Sequence, residues 1–278
     1  MKETFYNYPV FYAHIFRGIT RSSILSETKF LERSKKALKN WELAIHYELG
    51  LLLTMLDREG FLFPLMRHCY PENRYSNLLY KGTFSEVKLF DYHLQELDRD
   101  NWSDFNLATN TDFELDIAVN LGSRFFIDVE IKHNESFTDK VLGQMYRKCA
   151  FLLSPYQCRN YGLNSHLFIA WEERVKKSDY FIQKDNRNYH VLTEELKEQT
   201  IDGIMEKSKD KTTSFKSMVV NFIESDGVRL ITWERIKEFI DRDILSQDNV
   251  SDSITQSCAE FVFNFGKYYT KIDNAKMK

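Results

Sequence analysis

Acidic residues that alternate with apolar ones offer the clearest chemistry in this chain of 278 residues. Two strand-like runs, within 113–119 and 127–132, flank a turn at 120–123. Because the side chains of a strand alternate between its two faces, each run places apolar residues on one face and charged residues on the other. A short connection containing glycine favours an antiparallel hairpin, which joins the two charged faces. The charged residues of this surface are Glu114, Asp116, Asp128, Glu130 and Lys132.

Four carboxylates beside one ammonium predict a site for a divalent cation. Like charges placed close together repel each other unless a cation lies between them. The carboxylates of Asp116 and Glu130 are hard oxygen donors that suit Mg²⁺ or Mn²⁺. A structural alternative remains open, because any hairpin with one solvated face alternates apolar and charged residues. Asp128 either supports the metal-binding Glu130 from the same strand face or pairs with Arg124 on the surface.

The pattern of Asp116 followed by Glu130-Ile131-Lys132 resembles the motif of the PD-(D/E)xK nuclease superfamily, with 13 residues between the Asp and the Glu. Leu115 stands where that family often has a proline, at a variable position. The resemblance implies a metal-dependent nuclease that leaves 3′-hydroxyl and 5′-phosphate ends. Asp116, Glu130 and the backbone carbonyl of Ile131 would hold the metal. Lys132 would orient or deprotonate the attacking water, or stabilise the charged transition state.

Glu86 is a further candidate for the same site. The segment Thr83–Asp98 is predicted to be a helix, and Glu86 lies at the edge of its apolar face. Thr83 and Glu86 fit a capping box, which would explain the position of this acid structurally. In many nucleases that the Glu130–Lys132 motif resembles, a helix just before the hairpin supplies one more metal-binding glutamate. The two interpretations of Glu86 are compatible.

A helix predicted at Ser136–Leu153 carries Gln144 and Lys148 four residues apart on one face. This Gln-x-x-x-Lys pair resembles an accessory motif of several nuclease branches of the superfamily, where it orients active-site groups or contacts the nucleic-acid backbone. We therefore assign Gln144 to the catalytic group, and Lys148 and Arg147 to nucleic-acid binding. The alternative is an ordinary polar margin of an amphipathic helix.

The order of the predicted elements supports an α/β (α+β) fold with a central mixed sheet flanked by helices. The run His166–Trp171 suits a strand buried between two helical layers. It completes the order helix–strand–strand–helix–strand that the restriction-endonuclease-like core requires. The predicted organisation is a helical N-terminal region over 1–82, a nuclease core over 83–175 and a C-terminal α/β extension over 176–278 that packs on the core.

Further elements are predicted on both sides of this core. Arg58–Gly82, with its two prolines, is predicted to be irregular. The helices predicted elsewhere are Ser26–Asp57, Glu194–Lys207 with Thr193 as its cap, Glu234–Ile244 and Ser253–Tyr269. The strands predicted elsewhere are Ser217–Ile223 and Val228–Trp233.

Composition limits the classes of function. With 38 Lys and Arg against 41 Asp and Glu, the formal charge is −3, unlike that of a protein that coats DNA non-specifically. A nuclease with a local basic groove remains compatible with this charge. The four cysteines show no metal-binding spacing, which disfavours zinc. We expect a cytoplasmic protein without a membrane partner, because no signal peptide and no membrane-spanning run is recognisable.

These observations predict a Mg²⁺- or Mn²⁺-dependent enzyme that hydrolyses phosphodiester bonds of DNA, in restriction, repair, recombination or defence against mobile elements. A homodimer would suit the cutting of both strands of a duplex. Three alternatives stay open. They are a catalytically inactive nucleic-acid-binding or protein-interaction module on the same fold, a nuclease directed at RNA, and an α+β scaffold protein whose hairpin is an ordinary exposed sheet.

Overall fold

The computed structural model describes residues 62–79, 85–89, 104–108, 115–122, 124–132, 137–184, 186–239 and 242, with the backbone alone for 85–89. The predicted helices Ser26–Asp57 and Ser253–Tyr269 lie outside the described residues, as does Glu114.

The described elements are seven strands and eight helices in mixed order along the chain. The strands are β1 (Ser85–Leu89), β2 (Ile117–Leu121), β3 (Phe125–Lys132), β4 (Leu163–Ala170), β5 (Phe181–Gln183), β6 (His190–Leu192) and β7 (Val228–Thr232). The helices are α1 (Leu62–Cys69), α2 (Asn73–Ser76), α3 (Asp139–Leu152), α4 (Pro155–Asn160), α5 (Glu172–Lys176), α6 (Glu194–Lys207), α7 (Thr213–Glu224) and α8 (Trp233–Phe239).

The seven strands of the described residues form one mixed sheet in the order β1-β2-β3-β4-β7-β6-β5. The three central strands β3, β4 and β7 are parallel, and the strands on either side pair antiparallel. The predicted α/β class with a central mixed sheet flanked by helices is therefore confirmed. The sheet also runs past the predicted domain limit at residue 175, since β5, β6 and β7 belong to it.

Helices cover both faces of the sheet and give it two apolar cores. The helices α1, α2 and α8 pack on one face with Ile117, Ile127 and Ile131. The helices α3, α6 and α7 pack on the other face with Phe126 and Phe168. An element whose two faces are both covered must bury its side chains on both sides. All eight residues of β3 are accordingly buried.

The hairpin β2–β3 has the predicted division of its faces. Its turn contains Gly122 at a φ of 65°, a left-handed conformation that glycine adopts without strain. Ile127, Val129 and Ile131 face the core under α1, and the polar residues between them face α3. The structural alternative of an ordinary hairpin with a solvated polar face is wrong for the described residues, because α3 covers Asp128, Glu130 and Lys132 and leaves them at most 5% exposed.

Three predictions of local structure are wrong. Residues 85–89 of the predicted helix Thr83–Asp98 form strand β1, which pairs with β2. The predicted strand Ser217–Ile223 is part of helix α7, whose buried residues Phe215, Val219 and Phe222 recur at helical spacing. The region predicted to be irregular contains α1, which accommodates Pro64 in its first turn.

The other predicted elements that the structure describes are confirmed. Strand β4 begins three residues before the predicted His166, and β7 begins at the predicted Val228. Helix α6 has the predicted bounds, and the hydroxyl of Thr193 accepts a hydrogen bond from the backbone N–H of Leu196 at its start. Helix α3 lies within the predicted range, and α8 begins one residue earlier than predicted.

Candidate functional site

The hairpin brings the two motif acids together. Ile117 pairs with Val129 in the antiparallel register of β2 and β3. One residue further in this register, Asp116, immediately before β2, is opposite Glu130 of β3. Directly opposed residues of an antiparallel pair have their Cβ atoms only about 5 Å apart. Lys132 follows on the same face of β3, at its carboxyl end.

Glu130 contacts two ammonium groups. The Nζ of Lys132 lies 2.6 Å from its Oε1, and the Nζ of Lys148 contacts its Oε2. The side chains of these three residues are only 5–7% exposed. Buried charges are tolerated when each one is paired, because the attraction between them offsets the loss of hydration. The structure thus builds a compact ionic cluster beneath α3.

Asp116 lies at the open side of this cluster, with its side chain 20% exposed. Its Oδ1 is 3.9 Å from the Nζ of Lys148, and its Oδ2 accepts a hydrogen bond of 3.4 Å from the backbone N–H of Ile131. The Lys148 ammonium is therefore within ion-pair distance of both motif carboxylates. The Ile131 hydrogen bond fixes Asp116 against β3.

Helix α3 supplies the other side of the site. Gln144 and Lys148 lie about one helical turn apart on α3. The Oε1 of Gln144 accepts a hydrogen bond of 3.4 Å from the Nζ of Lys132, which also pairs with Glu130. Gln144 itself is exposed. Four of the predicted site residues, together with Lys148, therefore converge: Asp116, Glu130, Lys132 and Gln144.

The predicted metal site has two described carboxylates. Among the residues that the structure describes, no group of three or more His, Cys, Asp or Glu side chains is placed to hold a metal ion. The carboxylates of Asp116 and Glu130 are hard oxygen donors that both approach the ammonium of Lys148, and their role as ligands of a single cation stays a prediction. Since the N–H and C=O of a strand residue point to the same edge, the Ile131 carbonyl faces the edge where Asp116 lies.

Glu86 lies on strand β1 and not on a helix, so its capping-box explanation is wrong. Its backbone pairs with Asn120. Asn120 is four residues from Asp116 along β2, or about 13 Å at the rise of a strand. The register therefore does not place the Glu86 backbone beside Asp116. The metal-binding role of Glu86 stays a prediction.

The two residues predicted to bind nucleic acid differ in exposure. Lys148 is buried against Glu130 and Asp116, so it belongs to the acidic cluster and not to the exposed margin of α3. Arg147 is half-buried, and this burial lowers the pKa of its guanidinium. A contact of Arg147 with nucleic acid stays a prediction.

A second buried pair was not predicted from the sequence. Asp128 and His166 are both fully buried, and the Oδ2 of Asp128 lies 2.6 Å from the Nδ1 of His166. The predicted surface pairing of Asp128 with Arg124 is therefore wrong. Burial lowers the pKa of His166, although Asp128 opposes this shift. The sequence carried one signal for this pair. Asp128 and His166 are polar residues within strands that are covered by helices on both faces.

Comparison with known proteins adds no assignment: no protein-family model matches the chain, and neither curated proteins nor solved structures give a significant match. No helix among the described residues is long and apolar enough to cross a membrane. The function is therefore argued from the site itself.

Proposed function

We propose that this protein is a Mg²⁺-dependent nuclease with a restriction-endonuclease-like core, which hydrolyses phosphodiester bonds of DNA. The observation that carries the proposal is the convergence of Asp116, Glu130, Lys132 and Gln144 on one cluster. These residues come from two strands and a helix, and their sequence pattern resembles one family of metal-dependent nucleases.

The arrangement of elements around the cluster supports the same proposal. Strands β2 and β3 form an antiparallel hairpin, helix α3 follows, and β4 returns parallel to β3. This order agrees with the strand–strand–helix–strand part of the core expected from the sequence. The carboxyl ends of parallel strands in an α/β sheet are also a common location for ligand sites.

Each residue of the cluster has a chemical part in this proposal. Asp116 and Glu130 provide hard oxygen donors, and a bound divalent cation would supply Lewis acidity and neutralise the charge of the phosphate. The Lys132 ammonium lies beside Glu130, where it can orient the attacking water and stabilise the charge that develops on the phosphate. Gln144 holds Lys132 in that position through its carbonyl oxygen.

The charge balance of the cluster favours a second candidate. Two carboxylates face two ammonium groups, so the described cluster is neutral as it stands. A neutral, fully paired cluster would suit a module that binds nucleic acid or a protein partner on the same fold without catalysis. This candidate predicts binding that weakens with salt and needs no divalent cation.

Incubation of the wild-type protein with separate nucleic acids tests the proposal. The substrates are supercoiled plasmid, linear duplex, single-stranded DNA and RNA, each with Mg²⁺, Mn²⁺ or EDTA. We expect cleavage of DNA with either metal and none with EDTA. The new ends should carry 5′-phosphates, which allow ligation without a kinase step.

The same panel separates the alternatives. Faster cleavage of RNA than of any DNA would change the proposed substrate from DNA to RNA and leave the proposed mechanism unchanged. Salt-sensitive binding without cleavage of any substrate would favour the inactive module. Cleavage that persists in EDTA would contradict a mechanism that depends on Asp116 and Glu130 as metal ligands.

A further inference from the structure

Lys148 lies beside the two carboxylates that are proposed to bind the metal ion. Its Nζ contacts the Oε2 of Glu130 and lies 3.9 Å from the Oδ1 of Asp116. We propose that Lys148 is an internal counter-cation, which neutralises the site in the absence of metal and leaves it when a divalent cation binds. This inference rests on the proposed function, because it assumes that Asp116 and Glu130 are metal ligands.

The crowding of the two carboxylates explains why a buried lysine lies beside them. Two carboxylates close together and shielded from water repel each other strongly unless a cation lies between them. The Lys148 side chain is 7% exposed, and the contacts described for its ammonium are to these two acids. The lysine thus offsets the repulsion between the two carboxylates before any metal arrives.

The two lysines of the cluster differ in how they are held. Lys132 pairs with the Oε1 of Glu130 and also donates to the Oε1 of Gln144. The described partners of Lys148 are the atoms that a metal ion would need. A divalent cation at this position would repel the Lys148 ammonium, whereas Lys132 would keep a neutral partner in Gln144.

Displacement of Lys148 has a consequence for the substrate. A lysine ammonium is a compact charge on a flexible stem, so it can turn to a new anion nearby. A backbone phosphate of nucleic acid, held at the metal, would be such an anion. Metal and polyanion should therefore bind with positive coupling, and the coupling must be reciprocal. The wild-type site would bind metal more weakly until a phosphate is there to receive Lys148.

Mn²⁺ binding without nucleic acid tests this inference independently of activity. The titration, by calorimetry, uses the wild type, Lys148→Met and Lys148→Gln. The control is Lys140→Met, which removes an exposed lysine from the first turn of the same helix. We expect both Lys148 variants to bind Mn²⁺ about tenfold more tightly than the wild type, within the range of typical coupled sites. Lys140→Met should match the wild type.

A parallel series that also carries Asp116→Asn separates the two proposals. Mn²⁺ binding that requires Asp116 but is equal or weaker in both Lys148 variants would overturn the counter-cation role and leave the metal site intact. Absence of Asp116-dependent Mn²⁺ binding from every variant would overturn the metal site itself.

A structure of the wild-type protein soaked with Mn²⁺ keeps the inference testable if the Lys148 variants fail to fold. We expect Lys148 Nζ to move beyond the ion-pair limit of about 4 Å from Glu130 when the ion is bound. A Lys148 that still contacts Glu130 beside a bound ion would overturn the inference.

Discussion

Each carboxylate oxygen of Glu130 meets a different lysine, Lys132 at Oε1 and Lys148 at Oε2. Removal of one partner from a buried ion pair costs about 3–5 kcal/mol, because the other charge is left without compensation. Replacement of Glu130 would leave two buried ammonium groups, so its loss would affect folding and chemistry together. Asp116 is more exposed and makes longer contacts, so its replacement separates the two effects better.

The buried His166 makes stability depend on pH. Burial lowers the pKa of His166 below its usual value of 6.5, against the pull of Asp128 and with help from Lys148 and Lys132. The unfolded chain therefore binds a proton more readily than the folded protein. The free energy of unfolding should be highest above pH 6.5 and fall as the pH drops from 6.5 toward the folded-state pKa of His166.

Urea unfolding at pH 7.5 and 5.5 measures this dependence. In His166→Gln the loss of stability between the two pH values should be smaller than in the wild type. His190 shifts in the same direction and accounts for part of the remaining loss. The control His68→Gln replaces a partly exposed histidine that contacts Asn188. An unchanged pH dependence in His166→Gln would contradict this account.

At the scale of residues, local patterns predicted the cluster around Glu130 but could not predict the pair of Asp128 with His166. The alternation of β3 places Glu130 and Lys132 on one face, and the four-residue spacing of α3 places Gln144 beside Lys148. The resemblance to the nuclease motif, and not the spacing alone, then selected these residues. The pairing of Asp128 with His166 joins residues 38 positions apart. Their contact depends on the register of β3 against β4, which no local pattern reveals.

At the scale of elements, helix α3 connects the site to the rest of its layer. Its polar residues Gln144 and Lys148 belong to the ionic cluster around Glu130. Its buried residues pack in the core shared with α6. Gly203 of α6 lies against the ring of Tyr146 on α3, where a Cβ atom would come within 2.3–2.7 Å of ring atoms. Gly143 of α3 has open space at the same position.

This difference predicts opposite effects of two glycine substitutions. Gly143→Ala should raise the free energy of unfolding by about 1 kcal/mol, because alanine is the better helix former and meets nothing. Gly203→Ala should lower it by about 1–3 kcal/mol, because the clash with Tyr146 outweighs the same helical gain. Chemical denaturation of both variants measures the two changes, and stabilisation by Gly203→Ala would contradict the described packing.

Two errors in predicting the elements have different physical origins. The predicted helix Thr83–Asp98 carries a capping-box pattern at its start, yet pairing with β2 makes residues 85–89 a strand. Helix α7 contains β-branched residues that suggested a strand, but Thr212 caps it and its buried residues follow helical spacing. In residues 85–89, pairing with β2 overrode the local helix propensity. In α7, apolar residues at helical spacing were mistaken for those of a strand.

At the scale of the whole molecule, Arg229 joins parts of the chain that are far apart in sequence. It is fully buried on β7, and its Nη1 donates 2.5 Å to the carbonyl of Cys69 and 3.0 Å to Glu72. The rings of Tyr70 and Tyr189 lie 4.6 and 4.3 Å from its guanidinium carbon. The Arg229 side chain thus connects the end of α1 to strand β7.

Arg229→Met should lower the free energy of unfolding by about 3–5 kcal/mol, because it leaves the buried carbonyl of Cys69 and the Glu72 carboxylate without this donor. The control Arg235→Met removes a partly exposed arginine that pairs with Glu238 on the surface. It should cost less than about 1 kcal/mol. Thermal or urea unfolding compares the two, and equal effects would contradict the role assigned to Arg229.

The most direct test of the central claim is the rate of DNA cleavage by Asp116→Asn and Lys132→Met in Mg²⁺. Glu173→Gln and Lys216→Met, which replace exposed residues, serve as matched controls. We predict that the two site variants keep their fold and their binding of DNA but cleave about 100-fold more slowly or worse, while the controls cleave as the wild type does. Cleavage at the wild-type rate by both Asp116→Asn and Lys132→Met would contradict the account.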